Sequence, residues 1–434
     1  MTPGTASSDK PAPVGELGLD GLLAWSQARF VARTAATPLD PVPARLDEAH
    51  GSLLARALVS PYDEPVADAA ALDGYAVCGE GPWRVGDLAP DVALAPHTAV
   101  RVRAKQILPG HTDAVVSTEQ GVLDGDGVYL TARDPLTNLP EATARPDLGV
   151  GIVRQAAIRS AGTELVAAHS PITAGTLALA AAAGADSLDI VPPPVVGTLV
   201  LGASLLISGP PREGRVRDAL GATIPAFLGA LGARAHPPVR APQTRDLLIA
   251  EINDSNANLL ITTGSTSPSG DNLLRETLRD LGAHWLIDGI LMTPGAQTLL
   301  VRLPDDRLLL GLPGHPGSAL AGLVTLAAPL IAGLRGELRD PERTPASGVP
   351  PRARLSSEPP SPEYEQDTVV TPVRLVNDRR DSPLSSAQPL DQDGPADLGG
   401  WANADAIAVI PPGAGAVGDV VELLDPWGRP AGTP

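Results

Sequence analysis

The chain has 434 residues, of which 50 are acidic and 32 basic, so its formal net charge is −18. Nucleic-acid-binding proteins usually carry dense runs of Lys and Arg, and the absence of such a run argues against a nucleic-acid partner. The single cysteine, Cys78, excludes an internal disulfide and a cysteine-based metal site, while 47 prolines and 45 glycines predict many turns and short strands.

The N-terminal segment is predicted to hold a tail and two helices. Residues 1–15 are expected to be disordered, and they lack the basic start and the apolar core of a signal peptide. We therefore expect a cytoplasmic protein. Amphipathic helices are predicted next, at Leu17–Thr34 and Leu46–Leu58.

A small β-rich domain is predicted between residues 59 and 147, where short apolar segments are broken by Pro, Gly and Asp. Its strands are expected at Gly74–Val77, Ala99–Ala104, Asp113–Glu119 and Gly127–Ala132. An alanine-rich helix is predicted to follow at Ala174–Ala183, and three prolines at 192–194 mark a domain boundary.

The segment from residue 195 to about 339 alternates strand and helix patterns, which predicts a doubly wound α/β domain. Strands are expected at 195–202, 258–263, 298–303 and 307–312, and helices at 217–231, 245–252, 272–281 and 318–334. Pro329 and two glycines interrupt the apolar run Ala319–Leu334, so we predict a buried helix and no membrane partner. Residues 340–360 are predicted to be a linker, and residues 361–434 return to a β pattern.

A Pro/Gly loop, LPGHPGS at Leu312–Ser318, joins the last of these strands to the last helix. Backbone N–H groups at such a turn, at the positive end of a helix dipole, can bind a phosphate or another oxyanion. The alternative is a tight connection that binds nothing. His315, inside the loop, is either a turn residue or a hydrogen-bond or proton donor to a ligand.

A second strand–loop–helix unit contains TGSTSPSGD at Thr263–Asp271. Its hydroxyl groups and exposed amides are neutral donors for an anion, which a few arginines such as Arg212, Arg215 and Arg217 would assist. Asp271, just before the helix, is either an N-cap or a ligand for Mg²⁺. Both loops are expected at the carboxyl ends of strands, where α/β sheets bind ligands.

Four carboxylates crowd into PYDEPVADAAALDGYAV at Pro61–Val77. Asp73-Gly74 is a turn signal before a strand. The stretch is either a turn or a group of carboxylates for metal binding or acid–base chemistry. The carboxylates are Asp63, Glu64, Asp68 and Asp73.

In this order, the motifs resemble those of the molybdopterin molybdenumtransferase family, which includes MoeA and the gephyrin E domain. SPYDEPVADAAALDGYAV is similar to the family's S-P-x-D-x-P-x-F-D-N-S-A-M-D-G-Y-A-V, and TGSTSPSGD is similar to S-G-G-V-S-V-G-E-A-D. LPGHPGS is similar to L-P-G-N-P-V-S. The resemblance covers about residues 15–424.

The resemblance implies both a fold and an activity. The fold is an elongated MoeA-like subunit with a doubly wound α/β molybdopterin-binding domain (193–339) and a C-terminal β barrel (361–434). Residues 16–58 with 148–192 would form a split helical/extended domain, and residues 59–147 the small β-rich domain. The activity is insertion of molybdate into adenylated molybdopterin with release of AMP, with Mg²⁺, by a homodimer.

The resemblance also selects candidate site residues. Asp73 and Asp271 are the candidate catalytic residues, and Asp271 is also the candidate Mg²⁺ ligand. The candidate residues for binding molybdopterin or its adenylated form are Gly264, Ser265, Ser267, Gly270, Pro313, Gly314, His315 and Ser318.

Several charged positions of the family are substituted here. Its two acidic motifs fall on Ala156–Ile158 and Ala203–Leu206, and its K-P-G-K lysines fall on Thr293 and Ala296. These changes remove cations that would stabilise a molybdate dianion and acids that would bind Mg²⁺. Three functions therefore stay open: a divergent molybdenum insertase, a non-catalytic molybdopterin-binding member or dimer partner of an active paralogue, and a scaffold that binds no pterin.

Overall fold

A computed structural model describes residues 21–425, apart from 88–91, 127–128, 134–138, 142, 144, 241–243, 270–271, 338–351, 377–383 and 391–396. The predicted tail at 1–15 lies outside the described residues. The chain falls into two compact units. One contains the chain up to Pro43, Gly51–Leu53 and everything from Asp189 onward, and the other contains Ala44–His50 and Leu54–Leu188.

The smaller unit is built on one β-sheet. The strand Gly74–Cys78 pairs antiparallel with Thr98–Val102 on one side and with the edge strand Ala114–Ser117 on the other. The sheet continues through Trp83–Val85, Tyr129–Arg133, Gly121–Leu123 and Pro140–Glu141. Tyr75, Val77, Trp83 and Leu130 are buried on it. The β pattern predicted for this segment is therefore observed in the sheet.

The rest of the smaller unit consists of short ladders and one helix. Leu58–Val59 pairs with Glu164–Val166, and Ala69–Ala70 pairs with Ile152–Val153. The helix Ala174–Ala182 begins at Thr173, whose hydroxyl accepts the N–H of Thr176, as expected of an N-cap.

The helix predicted at Leu46–Leu58 is wrong. Gly51 has a φ of +79°, which interrupts a right-handed helix. Leu54 donates its N–H to Ser170 O at 3.0 Å and accepts the N–H of His169 at 2.7 Å. Long-range backbone pairing therefore replaces the local helical hydrogen bonds that the apolar spacing predicts.

The larger unit contains the predicted α/β domain. Three parallel strands lie side by side in its sheet, in the order Val195–Val200, Leu259–Thr263 and Leu308–Leu312. Leu299–Arg302 and His284–Asp288 extend the sheet antiparallel on one side, and Arg234–Ala235 and Val239–Arg240 pair parallel with the first strand on the other.

Helices cover both faces of this sheet, as in a doubly wound fold. Leu260 and Leu309 point into a core shared with the helices Arg245–Asp254 and Leu273–Asp280. The alternate residues Ile261 and Leu310 point into a second core. That core is shared with the helices Trp25–Ala35, Leu220–Ala230 and Pro316–Leu334.

The helix Pro316–Leu334 is long and apolar enough to cross a membrane, but 83% of its apolar window is buried inside the protein. It has α-helical segments at Pro316–Gly322 and Ala328–Leu334, joined by a π-helical turn at Leu323–Ala327. Arg29 donates to the carbonyls of Val324 and Thr325, at 3.1 and 3.0 Å. This cation stabilises carbonyls at a turn where the regular i→i−4 hydrogen-bond pattern is interrupted.

The N-terminal helix begins later than predicted, at Trp25 rather than Leu17. Leu23–Ala24 forms a strand that pairs parallel with Ile290 and Leu291. Edge pairing therefore takes the place of the first turns of the helix, and residues 17–20 lie outside the described residues.

The C-terminal strands close into a barrel. The sheet contains the strands Arg352–Leu355, Thr368–Val376, Ser385–Pro389, Ala406–Ile410 and Val420–Leu424. Antiparallel pairing of Thr368–Val376 with Ala406–Ile410 closes it. The first of these strands falls inside the range predicted as a linker, and residues 340–351 of that range lie outside the described residues.

Candidate functional site

Two loops lie side by side at the carboxyl edge of the α/β sheet. The serine loop, Gly264–Ser269, follows the strand Leu259–Thr263, and the proline loop, Pro313–His315, follows the parallel strand Leu308–Leu312. The N–H of Gly264 donates to the carbonyl of Leu312 at 2.9 Å. One backbone hydrogen bond therefore joins the start of the serine loop to the end of the neighbouring strand.

The serine loop turns sharply at its first two residues. Gly264 has a φ of +88° and Ser265 has a φ of +54°, so both lie in the left-handed region. An ideal Cβ at Gly264 would lie 3.1 Å from Leu201 O, and one at Gly314 would lie 3.5 Å from the Gly264 Cα. Glycines at these positions let two backbones approach one another without side chains between them.

The hydroxyl groups of the serine loop face partly into solvent. Ser265, Ser267 and Ser269 are half-buried. The Oγ atoms of Ser267 and Ser269 lie 3.5 Å apart, and the N–H of Ser269 donates to Ser267 Oγ at 3.3 Å. These groups are neutral donors grouped in one turn.

A buried arginine holds the serine loop from beneath. Arg275 is only 2% exposed, and its Nε donates to Thr266 O at 2.7 Å. Its guanidinium also pairs with Asp288 and lies 5.3 Å from the centre of the Trp285 ring. The sequence analysis did not single out this residue. Its position next to the buried Leu274 in an amphipathic helix could have indicated a buried charge.

The proline loop leads directly into the core helix. His315 is the N-cap residue with an extended backbone, is exposed, and makes no side-chain capping bond. Pro313 is buried, Gly314 is exposed, and Ser318 in the first turn is half-buried. The amides of this first turn stand at the positive end of the helix dipole, as predicted for an oxyanion cradle.

Gly270 and Asp271 lie outside the described residues. The structure therefore tests neither the N-cap nor the Mg²⁺ role of Asp271. The other predicted residues of the two loops lie together at one edge of the sheet.

Asp73 belongs to the smaller unit, where it holds a turn. Its Oδ1 accepts the N–H of Ala104 at 2.8 Å, and its carbonyl accepts the N–H of Thr118 at 3.2 Å. The following Gly74 is required because a Cβ there would lie 2.1 Å from Val116 O. Asp73 is exposed, and its second carboxylate oxygen accepts no hydrogen bond from the described residues.

The other acids of this stretch are used to hold loops. Asp63 accepts the N–H of Ala161 and the amide of Gln155, which lower the pKa of its carboxyl group. Asp68 accepts the N–H of Gln155 and pairs with Arg154, which likewise lower its pKa. Glu64 pairs with Arg159.

No group of three or more His, Cys, Asp or Glu side chains among the described residues can hold a metal ion. The carboxylates of the acidic stretch therefore hold loops and turns in the described structure, and an acid–base role for Asp73 stays a prediction.

Of the two positions that carry lysines in the family, Thr293 makes side-chain hydrogen bonds here. Thr293 donates its hydroxyl to Asp367 and accepts the N–H of Glu363 at 3.1 Å, so it connects the α/β domain to the barrel segment. Ala296 is buried at 7% exposure. Neither position leaves a cation beside the two loops.

A third feature of the same edge is an open pocket of about 400 Å³, which we call the arginine pocket. Arg212 and Arg215 line it, as does Arg240, which the sequence did not single out. Arg217 is not part of its lining. Three of the four positions of a lost acidic motif, Ala203, Leu205 and Leu206, form part of its wall.

Comparison with known proteins matches two regions of the chain. Residues 23–184 match the MoeA N-terminal region (domain I and II), and residues 196–333 match the probable molybdopterin binding domain. Both loops and the arginine pocket lie within the second match.

Full-length relatives agree with these matches. The molybdopterin molybdenumtransferase of Haemophilus influenzae is 28% identical over 316 residues, 67% of this chain and 72% of the relative. That of Bacillus subtilis is 26% identical over 306 residues, 66% of this chain and 69% of the relative.

The fold agrees as well. The crystal structure of the molybdopterin biosynthesis MoeA protein from Pyrococcus horikosii superposes with a TM-score of 0.72 and 21% identity, covering 93% of this chain and 99% of that one. The motif order, the two regional matches and this shared fold place the chain in the MoeA family.

Proposed function

We propose that this protein takes part in molybdenum cofactor biosynthesis by binding molybdopterin or its adenylated form at the serine and proline loops. The observation that carries the proposal is the bond of 2.9 Å from Gly264 N–H to Leu312 O, which sets the two loops side by side. The relatives named molybdopterin molybdenumtransferase and the matched molybdopterin binding domain support the same ligand.

The chemistry of the two loops suits a phosphate-bearing ligand. Amides at the start of the helix Pro316–Leu334 and hydroxyls of Ser265 and Ser267 are donors without charge. Donors of this kind hold a phosphate through many hydrogen bonds and the helix dipole, so the lost lysines do not remove the site. Binding is thus better supported than turnover.

Insertion of molybdate is the second candidate, favoured by one observation. Asp73 keeps an exposed carboxylate with one oxygen free of hydrogen bonds from the described residues. Against rapid turnover, Thr293 and Ala296 supply no cation where a dianion would enter. Mg²⁺ is proposed only through Asp271, since the described residues contain no group of three or more His, Cys, Asp or Glu side chains that could hold a metal ion.

The remaining expectations are proposals of the same kind. We propose that the protein acts as a homodimer in the cytoplasm and works on a small pterin ligand without a nucleic-acid or membrane partner. The net charge of −18 argues against a nucleic-acid partner and the burial of the helix Pro316–Leu334 against a membrane partner, while the homodimer is what the family resemblance implies.

Titration of the full chain with adenylated molybdopterin, followed by Mg²⁺ and molybdate, tests the proposal. Saturable binding without AMP release supports a binding protein, and AMP release that Asp73→Ala abolishes supports the insertase. Absence of binding to both free and adenylated molybdopterin contradicts the proposal and leaves a scaffold.

A further inference from the structure

The arginine pocket lies next to the serine loop on the same edge of the sheet. The N–H of Leu201 donates to Thr263 O at 3.1 Å, and the pocket wall begins at the preceding residue, Val200. Its volume of about 400 Å³ is within the range of small-molecule sites. The pocket is therefore large enough for a ligand of its own.

Positive charge predominates in this pocket. Neither Arg212 nor Arg215 pairs with a carboxylate among the described residues, and Arg215 donates only to the carbonyl of Leu205, at 3.2 Å. Arg240 pairs with Asp218 at 2.7 Å. Glu213, in the turn between the first two arginines, is exposed and is not part of the lining.

Asp218, the carboxylate that pairs with Arg240, already has several hydrogen-bond partners. Asp218 has a side chain only 7% exposed, and it accepts the N–H groups of Leu220 and Gly221 at 3.0 and 2.9 Å besides pairing with Arg240. It caps the helix Leu220–Ala230 and neutralises one of the three arginines. Two uncompensated guanidinium groups remain.

A tight turn holds these two groups in one pocket. Arg212 and Arg215 exchange backbone hydrogen bonds of 3.2 and 2.9 Å, and Glu213 and Gly214 between them have φ values of 54° and 70°. Like charges repel one another, modestly here because both residues are exposed, and an anion between or beside them relieves that repulsion. Guanidinium groups bind the planar or tetrahedral faces of oxyanions through paired hydrogen bonds.

We propose that the arginine pocket binds a dianionic tetrahedral oxyanion, either free or as the phosphate group of a small organic molecule, and not Mg²⁺. Arg212 and Arg215 bind the anion, and the Ser208 hydroxyl is a further donor in the lining. Leu205 and Leu206 form an apolar wall for the body of a monoester. The inference does not depend on pterin binding at the two loops.

Calorimetric titration of the full chain with inorganic phosphate, molybdate and phenyl phosphate tests this site, with phenol as the uncharged control. We expect saturable binding of at least one anion, and a loss of about tenfold or more in affinity in Arg212→Gln/Arg215→Gln, since each charged hydrogen bond is lost. Arg279→Gln, which changes an exposed arginine on the helix Leu273–Asp280, should leave the affinity unchanged.

The three anions distinguish the source of the ligand. Tighter binding of phenyl phosphate than of inorganic phosphate assigns a monoester, and tighter binding of inorganic phosphate or molybdate assigns a free oxyanion. Failure of all three to bind, or equal affinity in the double variant with an unchanged circular-dichroism spectrum, overturns the proposal. The proposal is also overturned if the protein binds Mg²⁺ saturably but none of the anions, and if the double variant binds Mg²⁺ as tightly as the parent or more tightly.

Discussion

Gly314 lies against Gly264, so that a Cβ added to Gly314 would be 3.5 Å from the Gly264 Cα. Both residues follow the last residue of a central strand within two positions. The serine and proline loops thus meet through bare backbone. An anion can approach amides of both loops because, among the described atoms outside the neighbouring residues of the chain, only the Gly264 Cα lies within 4 Å of this added Cβ.

Gly264→Ala should weaken molybdopterin binding by about tenfold, because left-handed backbone costs an L-residue about 1–2 kcal/mol and the new Cβ lies 3.1 Å from Leu201 O. Gly282→Ala is the matched control. Gly282 also has a positive φ, of +71°, but a Cβ there meets nothing within 4 Å. Calorimetric titration of both variants checks this, and equal affinities in the two would show that backbone contact at the loop is irrelevant.

Arg275→Met should lower both stability and ligand affinity. The change removes the donor to Thr266 O and leaves Asp288 without its cation. We expect the free energy of unfolding to fall by about 1–3 kcal/mol, and no further, because the Asp288 side chain is 42% exposed and water can solvate it. Thermal unfolding and molybdopterin titration of the same preparation provide the two measurements.

Arg279→Gln, on the exposed side of the same helix, is the control for loss of one positive charge. If Arg275→Met keeps full affinity, ligand binding at the serine loop does not depend on the hydrogen bond from Arg275 to Thr266 O.

The α/β domain could be predicted from the sequence because its strands and helices carry clear apolar periods. Leu259–Thr263 and Leu308–Leu312, for example, lie within a residue of their predicted bounds. The serine and proline loops follow from these strands, since parallel strands end at one edge. The helix predicted at Leu46–Leu58 failed because backbone pairing with distant residues overrode local propensity.

The parts of the site that sequence could not provide depend on long-range contacts. Arg275 and Thr266 are nine residues apart, but their bond depends on how the loop folds back over the helix. Arg240 joins Arg212 in one pocket only after the two strands and the helix that separate them in the chain have folded. Thr293 looks like a lost lysine in sequence, and only the fold shows that its hydroxyl is bound to Asp367.

Arg29→Met should destabilise the protein without changing ligand affinity. The half-buried guanidinium of Arg29 donates to Val324 O and Thr325 O in the π-helical turn, and losing these charged donors costs about 1.5–3 kcal/mol. Thermal unfolding should show the loss, and titration with molybdopterin should show no change. The exposed neighbour Arg33→Met serves as control, since Arg33 lies on the same helix. A fall in affinity with Arg29→Met would mean that the turn acts on the two loops.

Asp68→Asn should reduce stability at neutral pH and have a smaller effect in acid. The N–H of Gln155 at 2.8 Å and Arg154 at 2.6 Å hold the pKa of the Asp68 carboxyl below its ordinary value of 3.8. A lowered folded-state pKa stabilises the fold above the unfolded pKa, and this contribution is lost as pH falls through the folded value.

The loss at pH 7 should be below about 1 kcal/mol, because both side chains of the pair are more than a third exposed. Urea unfolding midpoints of the variant and the parent should therefore differ at pH 7 and converge as the pH falls through the lowered pKa of Asp68. Asp87→Asn, an exposed acid with no hydrogen bond to the described residues, should match the parent throughout. A constant difference across the pH range would show that Asp68 acts through packing rather than through its charge.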